Sequence, residues 1–437
     1  MNILSKKSIF TAMLQNGPFA VKDALPLTHP FSSEARKWSR EIQDDPLMKT
    51  KYRAVRNQIF DFLGTNNFDE ILPLVYNKKL NYQVTTRAHQ LLGNMFGIRG
   101  DAQIIDRHLH DYARTADDVV NSLRAKVLAP YSSHIETTNE IETMYNPVEL
   151  LLVLFNEQFH SKARFEAKRK LVLMNLAGLI DQRERETAIE QQFADFLSFL
   201  NVFVWSSSLK IGDLEISYLH SKHRVDDDFS CTRVCVLSED EARSIIPVAG
   251  EKLTLIKRRR FQNHDRDIPI YVTIRNKQPA AKVLKLLRKN EKNPATAVDD
   301  ELGLMAVLNS VSDVKLFLRH LTQSAVKAGS FMTLEDISDT LTGGNYRGSA
   351  TGSSAKTPML KFFARLGGMR VEFIIHTNRS YLNYIYQRDV AHDEYEVKRI
   401  FDTGVAELLF PSDIYHLDMK DIRTSQLVRF RKQIEEY

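Results

Sequence analysis

The chain has 437 residues, 60 Lys and Arg against 55 Asp and Glu for a net charge of +5, 43% hydrophobic residues and two cysteines. That length can build two or three domains with sizeable cores, and 17 Gly with 13 Pro exclude a collagenous or low-complexity chain. Cys231 and Cys235 alone cannot form a disulfide framework or a four-cysteine zinc site, so a reducing, cytoplasmic setting is expected.

In chain order, the amphipathic stretch from Ile3 to Leu14 is broken by Asn16-Gly17-Pro18 and reads as mature protein rather than a leader. The longest apolar run, Leu150 to Phe155, falls far short of the roughly 20 residues a membrane span requires, so no membrane partner is expected. From about Glu34 to Leu200 apolar residues recur at three- and four-residue spacing, as in Ile59, Phe60, Phe62, Leu63 and Ile71, Leu72, Leu74, Val75, which predicts helices. Asn146 before Pro147 is a helix start, and the charges between Ala163 and Phe196 predict a helix with one side in water. Residues 1–200 are therefore expected to form an all-α domain of about five to eight helices.

Near Asn201 the pattern changes to short β-rich runs, giving a β-rich connecting region over 201–262 and a mixed-sheet α/β domain over 263–437. The expected elements are a strand Ile268 to Ile274, a helix Ala280 to Arg288, a strand Leu302 to Leu308 and a helix Val311 to His320. A hairpin of Met359 to Leu366 and Met369 to His376 across Gly367-Gly368 follows, then a helix from about Ser380. Thr342 to Thr357 is Gly/Ser-rich and reads as a loop, and no solenoid-period repeat occurs. The fold class is α+β.

Charge concentrates in residues 251–293, which hold 13 Lys and Arg against 4 Asp and Glu. Such a stretch attracts phosphates or RNA, although a solvated basic face is its commoner fate. Arg275 and Lys277 are two apart on a strand, and Lys282 and Lys285 three apart on the next helix, so each pair shares a side. Asp299 and Asp300 open the strand that follows. Glu372 lies within the apolar strand MRVEFIIHT, where a carboxylate is costly unless it meets a cation or metal, or faces outward from a one-sided sheet. Two carboxylates beside a cationic cluster suit a magnesium-triphosphate site.

Arg275-x-Lys277-x-x-x-Ala281-x-x-x-Lys285, Asp300-x-x-Gly303, Val371-Glu372-Phe373-Ile374-Ile375-His376-Thr377 and Ala391-His392 resemble, in order and spacing, the synthetase domain of RelA/SpoT-type pyrophosphokinases, which make the alarmone (p)ppGpp. The resemblance runs from Ile268 to about Ile400. It implies a nucleotidyltransferase-type domain using ATP and Mg2+, with Arg275, Lys277 and Lys285 on the ATP phosphates, Lys282 added to them by its shared helix side, and Asp300 and Glu372 as catalytic, metal-holding carboxylates. Tyr346 and His376 would then stand on the acceptor side. The acceptor implied is a nucleotide or, as in toxins of this type, a tRNA end, and such proteins are often homo-oligomers. The departures are Ala281 for the family's Ser, Met305 for an Arg, and Ile374 and His376 for a Gln and an Arg; the Tyr-bearing acceptor motif has its nearest counterpart at Asn345-Tyr346-Arg347-Gly348-Ser349. They leave open a degenerate relative that senses a nucleotide or RNA.

Other signals carry less. His108-Leu109-His110-Asp111 supplies too few ligands for a metal and reads as a surface helix end. His220 to His223, followed by Asp226 to Asp228 and Cys231-x-x-x-Cys235, could hold zinc, but the two cysteines share a side of a β-like run and read as a buried pair of small residues. Lys257 to Arg260 reads as a nucleic-acid contact or, more commonly, a solvated turn before a strand. Gly348-Ser349 lacks the acidic pair of other nucleotidyltransferases. Tyr381, Tyr384 and Tyr386 read as core.

Overall fold

The computed structural model describes residues 44–156, 158–206, 214–298, 300–344, 346–347 and 357–436. The stretch from Ile3 to Leu14, Asp299, Gly348-Ser349 and most of the Gly/Ser-rich loop lie outside them. The chain is a mixed α+β protein. It runs as α1 Pro46–Leu63, α2 Ile71–Tyr76, α3 Lys78–Met95, α4 Ala102–Ser122, α5 Asn139–Thr143, α6 Pro147–Val153, α7 Ser161–Thr187 and α8 Ile189–Phe199, then β1 Glu215–His223, β2 Cys231–Leu237 and α9 Glu239–Arg243. There follow β3 Glu251–Asn263, β4 Arg266–Asn276, α10 Pro279–Lys289, α11 Pro294–Ala297, β5 Leu302–Leu308, α12 Val311–Lys327, β6 Thr333–Asp339, β7 Leu360–Leu366 and β8 Met369–Thr377. The last elements are α13 Asn378–Tyr386, α14 His392–Asp402, α15 Val405–Leu409, α16 Ser412–Tyr415 and α17 Met419–Glu435.

Two compact units emerge, and neither is continuous in sequence. One takes the described residues up to Glu186 with Gln278–Val298 and Arg399–Arg423; the other takes Thr187–Lys277, Asp299–Lys398 and the residues from Thr424. This division cuts across the expected boundaries at 200 and 262, because α10 buries Val283, Leu286 and Leu287 within the helical unit and β1 to β3 belong to the main sheet. Among the described residues no helix is long and apolar enough to cross a membrane.

In the helical unit, caps set the helix starts. Asp45 accepts from the amides of Leu47 and Met48, Asp101 from those of Gln103 and Ile104, and Asn146 from Val148 ahead of Pro147. Helix α7 departs from the expected half-solvated helix, since Glu166, Lys168, Arg169 and Lys170 are all buried. Glu166 accepts from the Thr138 amide at 2.8 Å and the Tyr415 hydroxyl at 3.0 Å. Arg169 donates to the Leu409 carbonyl at 2.8 Å and lies 4.9 Å from the Phe410 ring centroid. Lys170 donates to Asp117 at 2.9 Å and to the carbonyls of Ile141 and Glu142. Charge content cannot distinguish such internally satisfied side chains from solvated ones. His108 and Asp111 stand within α4 rather than at a helix end, with His108 Nδ1 3.4 Å from Asp181.

The second unit is built on one eight-stranded sheet of order β2-β1-β3-β4-β5-β8-β7-β6, antiparallel except for the parallel pair β5/β8. Helix α8, the turn Leu200–Val204 and α12 cover one face through Phe196, Leu200, Phe317 and Leu321 against Leu304, Phe362, Phe373 and Ile375. Helix α13 covers part of the other through Tyr381 and Leu382 against Val307 and Leu219. The hairpin β7/β8 turns at Gly367 and Gly368, both at positive φ as a two-residue loop of the matching twist requires. Lys257 to Arg260 lies inside β3, not in a turn: Arg258 and Arg260 pair with Glu215 across the sheet, and Arg259 lies 5.7 Å from the Trp205 ring. Strand β6, TLEDISD, was not expected; it is a polar edge strand whose pairing with β7 shifts after Glu335, where Asp336 takes φ +47°.

Truncating Arg169 strands a buried carbonyl and removes a buried cation, so Arg169→Ala should lower unfolding free energy by roughly 3 kcal/mol in urea titration. Arg114, 73% exposed and paired only with Asp111, should change it by less than about 0.5 kcal/mol on replacement by Ala.

Candidate functional site

The sheet face partly covered by α13 carries the candidate chemistry. Alternation along the strands puts Arg275, Gly303, Glu372 and Phe363 in one row across β4, β5, β8 and β7, since Arg275 registers with Gly303, Gly303 with Glu372, and Glu372 with Phe363. The next row on the same face is Thr273, Met305, Ile374 and Lys361. Gly303 is what allows the first row to close: a Cβ there would stand 2.8 Å from Arg275 Nε.

Glu372 is 4% exposed and receives two cations. Arg275 Nη2 donates to Oε2 at 2.5 Å and Lys361 Nζ is 3.0 Å from Oε1. One is a forked, 45% exposed guanidinium, the other an ammonium only 14% exposed. Just beyond the end of β4, Lys277 donates to Asp300 Oδ2 at 2.8 Å, and the Lys277 amide donates to the Glu301 carbonyl. Of the residues singled out in the sequence, Arg275 meets Glu372 and Lys277 meets Asp300. These cations and carboxylates lie at the end of β4 and the starts of β5 and β8.

Other expected residues stand elsewhere. Lys282 is fully buried on α10 in the helical unit, where it pairs with Glu184 of α7, so that ammonium is committed to the helical core. Lys285 is on the same helix. His376 has no exposed surface; it lies between the rings of Tyr381 and Tyr384 with Nδ1 3.3 Å from Ser380 Oγ. Burial lowers its pKa to about 3, so it is neutral and shielded from a ligand. Tyr346 is 60% exposed and pairs through its backbone with Asp339 of the edge strand β6, which puts it three strand spacings, about 14 Å, from β8. Met305 packs with the cluster under α13.

Sequence reasoning missed Lys361 and the placement of Tyr384. Lys361 was legible, because a two-residue loop at 367–368 makes Leu366 face Met369 and so sets Lys361 diagonal to Glu372 on one face. Tyr384 stacks between His376 and His392, and burial pushes its pKa up to about 12, with the Arg275 charge lowering and the Glu372 charge raising it. It therefore presents a neutral phenol near the ion pair. Among the described residues no group of three or more His, Cys, Asp or Glu is placed to hold a metal ion. The basic stretch 251–293 also spends cations internally, including Arg258, Arg260, Arg275, Lys277 and Lys282.

No family model, no curated protein and no solved structure matches the chain.

Removing the Glu372 carboxylate leaves the Lys361 ammonium buried without its partner, so Glu372→Ala should cost about 3 kcal/mol of stability, and Arg275→Ala, at the exposed end of the pair, less than about 1 kcal/mol. Denaturant titration of both variants reads this contrast. His376 titrates near 6.5 when unfolded and near 3 when folded. Its contribution is therefore complete above pH 6.5 and is lost as pH falls, by about 2 kcal/mol at pH 5. His376→Phe should show a correspondingly flatter stability profile between pH 7 and 5; an equal slope would contradict the burial argument.

Proposed function

We propose that this sheet face binds the triphosphate of ATP and transfers its β,γ-pyrophosphoryl group to a ribose 3′-hydroxyl of a nucleotide or RNA acceptor. The observation that supports the reading is the pairing of Glu372 with Arg275 and Lys361, and of Asp300 with Lys277, at the ends of β4, β5 and β8. Phosphoryl-type transfer is mostly positioning and charge neutralisation, and a resting site whose cations are held by carboxylates offers donors that phosphate oxygens can capture. Arg275 forks two oxygens, while Lys277 and Lys361 act as point charges. The acceptor oxygen forms a bond to Pβ, the bridge from Pα to Pβ breaks, AMP leaves, and Glu372 takes the hydroxyl proton.

Magnesium bound with phosphates needs only one or two protein carboxylates. Asp300 and Glu372 supply that number, and their present partners are cations that a triphosphate would draw off, so the donor set fits. Bound there, the ion would offset charge developing on the phosphates. The proposal rests on the sheet unit alone; Lys282 has no part in it.

A second reading is a nucleotide-binding protein without transfer activity. It is favoured by the partial burial of Met305 and the full burial of His376 at positions where the resembled synthetases carry polar contacts.

Incubation with γ-labelled ATP and magnesium, offering GDP, GTP, AMP, ADP and bulk tRNA in parallel, tests both readings. Label should move to one acceptor with release of AMP, and Glu372→Gln should slow transfer by at least about 100-fold. ATP binding without transfer would favour the second reading, and no ATP binding would contradict both.

A further inference from the structure

The helical unit contains a cavity of about 460 Å³ between α2, α3, α5, α6 and the segment after α6. Its size lies within the roughly 300–1,000 Å³ of small-molecule sites. Among the described residues, Glu149 is the one charged side chain in its lining, which includes no Lys, Arg, His or Asp. Glu149 makes no ion pair among the described residues, and its place in the first turn of α6 keeps its charge favourable without a partner. The remaining polar lining is neutral: Asn81, Asn146 and Asn156 have their carbonyl oxygens already occupied by Thr85, the Val148 amide and the Gln158 amide. His89, which contacts Asn146, is held toward its neutral form chiefly by burial and adds no positive charge.

Aromatic surface borders this lone carboxylate. Tyr82 lines the cavity and is 75% exposed, and Phe159 lines it as well. Tyr76 and Tyr145, 64% and 37% exposed, flank the lining residues Val75, Met144 and Asn146 in sequence. Large aromatic side chains left in water beside an uncompensated carboxylate suit a ligand that is positively charged and carries hydrocarbon. Among the described lining residues an anionic nucleotide finds no cation.

We propose that this cavity binds a small organic cation, an alkylammonium or guanidinium compound, with its charge on Glu149 and its hydrocarbon against Tyr82, Phe159, Val75 and Leu152. The site is independent of the sheet-face chemistry.

Calorimetric titration of the full chain with agmatine, with adenosine as the neutral probe and AMP as the anionic one, tests it. Agmatine should bind saturably and in preference to the other two. Glu149→Gln should weaken that binding roughly tenfold or more, and Tyr82→Ala several-fold, both with unchanged melting temperature, since the residues are exposed. Absence of saturable agmatine binding, adenosine or AMP binding as tight as agmatine, or agmatine affinity unaffected by Glu149→Gln would each overturn the proposal.

Discussion

A carboxylate enclosed in a β-sheet must be compensated, and Glu372 sets the terms for the face around it. It receives two cations from the same sheet: Arg275 two strands away through the gap left by Gly303, and Lys361 diagonally across the β7/β8 hairpin. The requirement ties together β4, β5, β8 and β7 on one face, while Leu304, Phe362, Phe373 and Ile375 fill the opposite face with apolar packing. One side of the sheet is thus a core, and the other combines the apolar cluster under α13 with a layer of compensated charge that opens toward solvent at Arg275.

The helical unit handles buried charge in another way. In α7, Glu166, Arg169 and Lys170 are met by backbone carbonyls, the Thr138 amide, the Tyr415 hydroxyl and Asp117. Such saturation anchors α7 to segments as distant in sequence as Leu409 and Tyr415. It makes those side chains structural, whereas Arg275, half in water, retains the freedom to exchange partners.

Much of the sheet was legible. Leu302 to Leu308 reads as a strand because an unbroken apolar run suits a strand covered on both faces, and Gly367-Gly368 marks the β7/β8 hairpin. Strand β6 was not legible, because an acidic edge strand shows no apolar alternation. Of the candidate site, Arg275, Lys277, Asp300 and Glu372 were singled out from residue type and spacing. Lys282 was misjudged because two lysines on one side of a helix look the same whether that side meets water or a buried glutamate. His376 failed as an acceptor contact for a related reason: strand alternation places it on the face of Glu372 but does not reveal that Tyr381 and Tyr384 close over it.

The central claim is that the cations gathered by Glu372 and Asp300 form a triphosphate site. A crystal structure of the chain with magnesium and a non-hydrolysable ATP analogue tests it most directly. The account predicts phosphate oxygens within hydrogen-bonding distance of Arg275 and Lys277, with the metal on Asp300 or Glu372. Nucleotide bound elsewhere, with the Arg275–Glu372 and Lys277–Asp300 pairs unchanged, would contradict it.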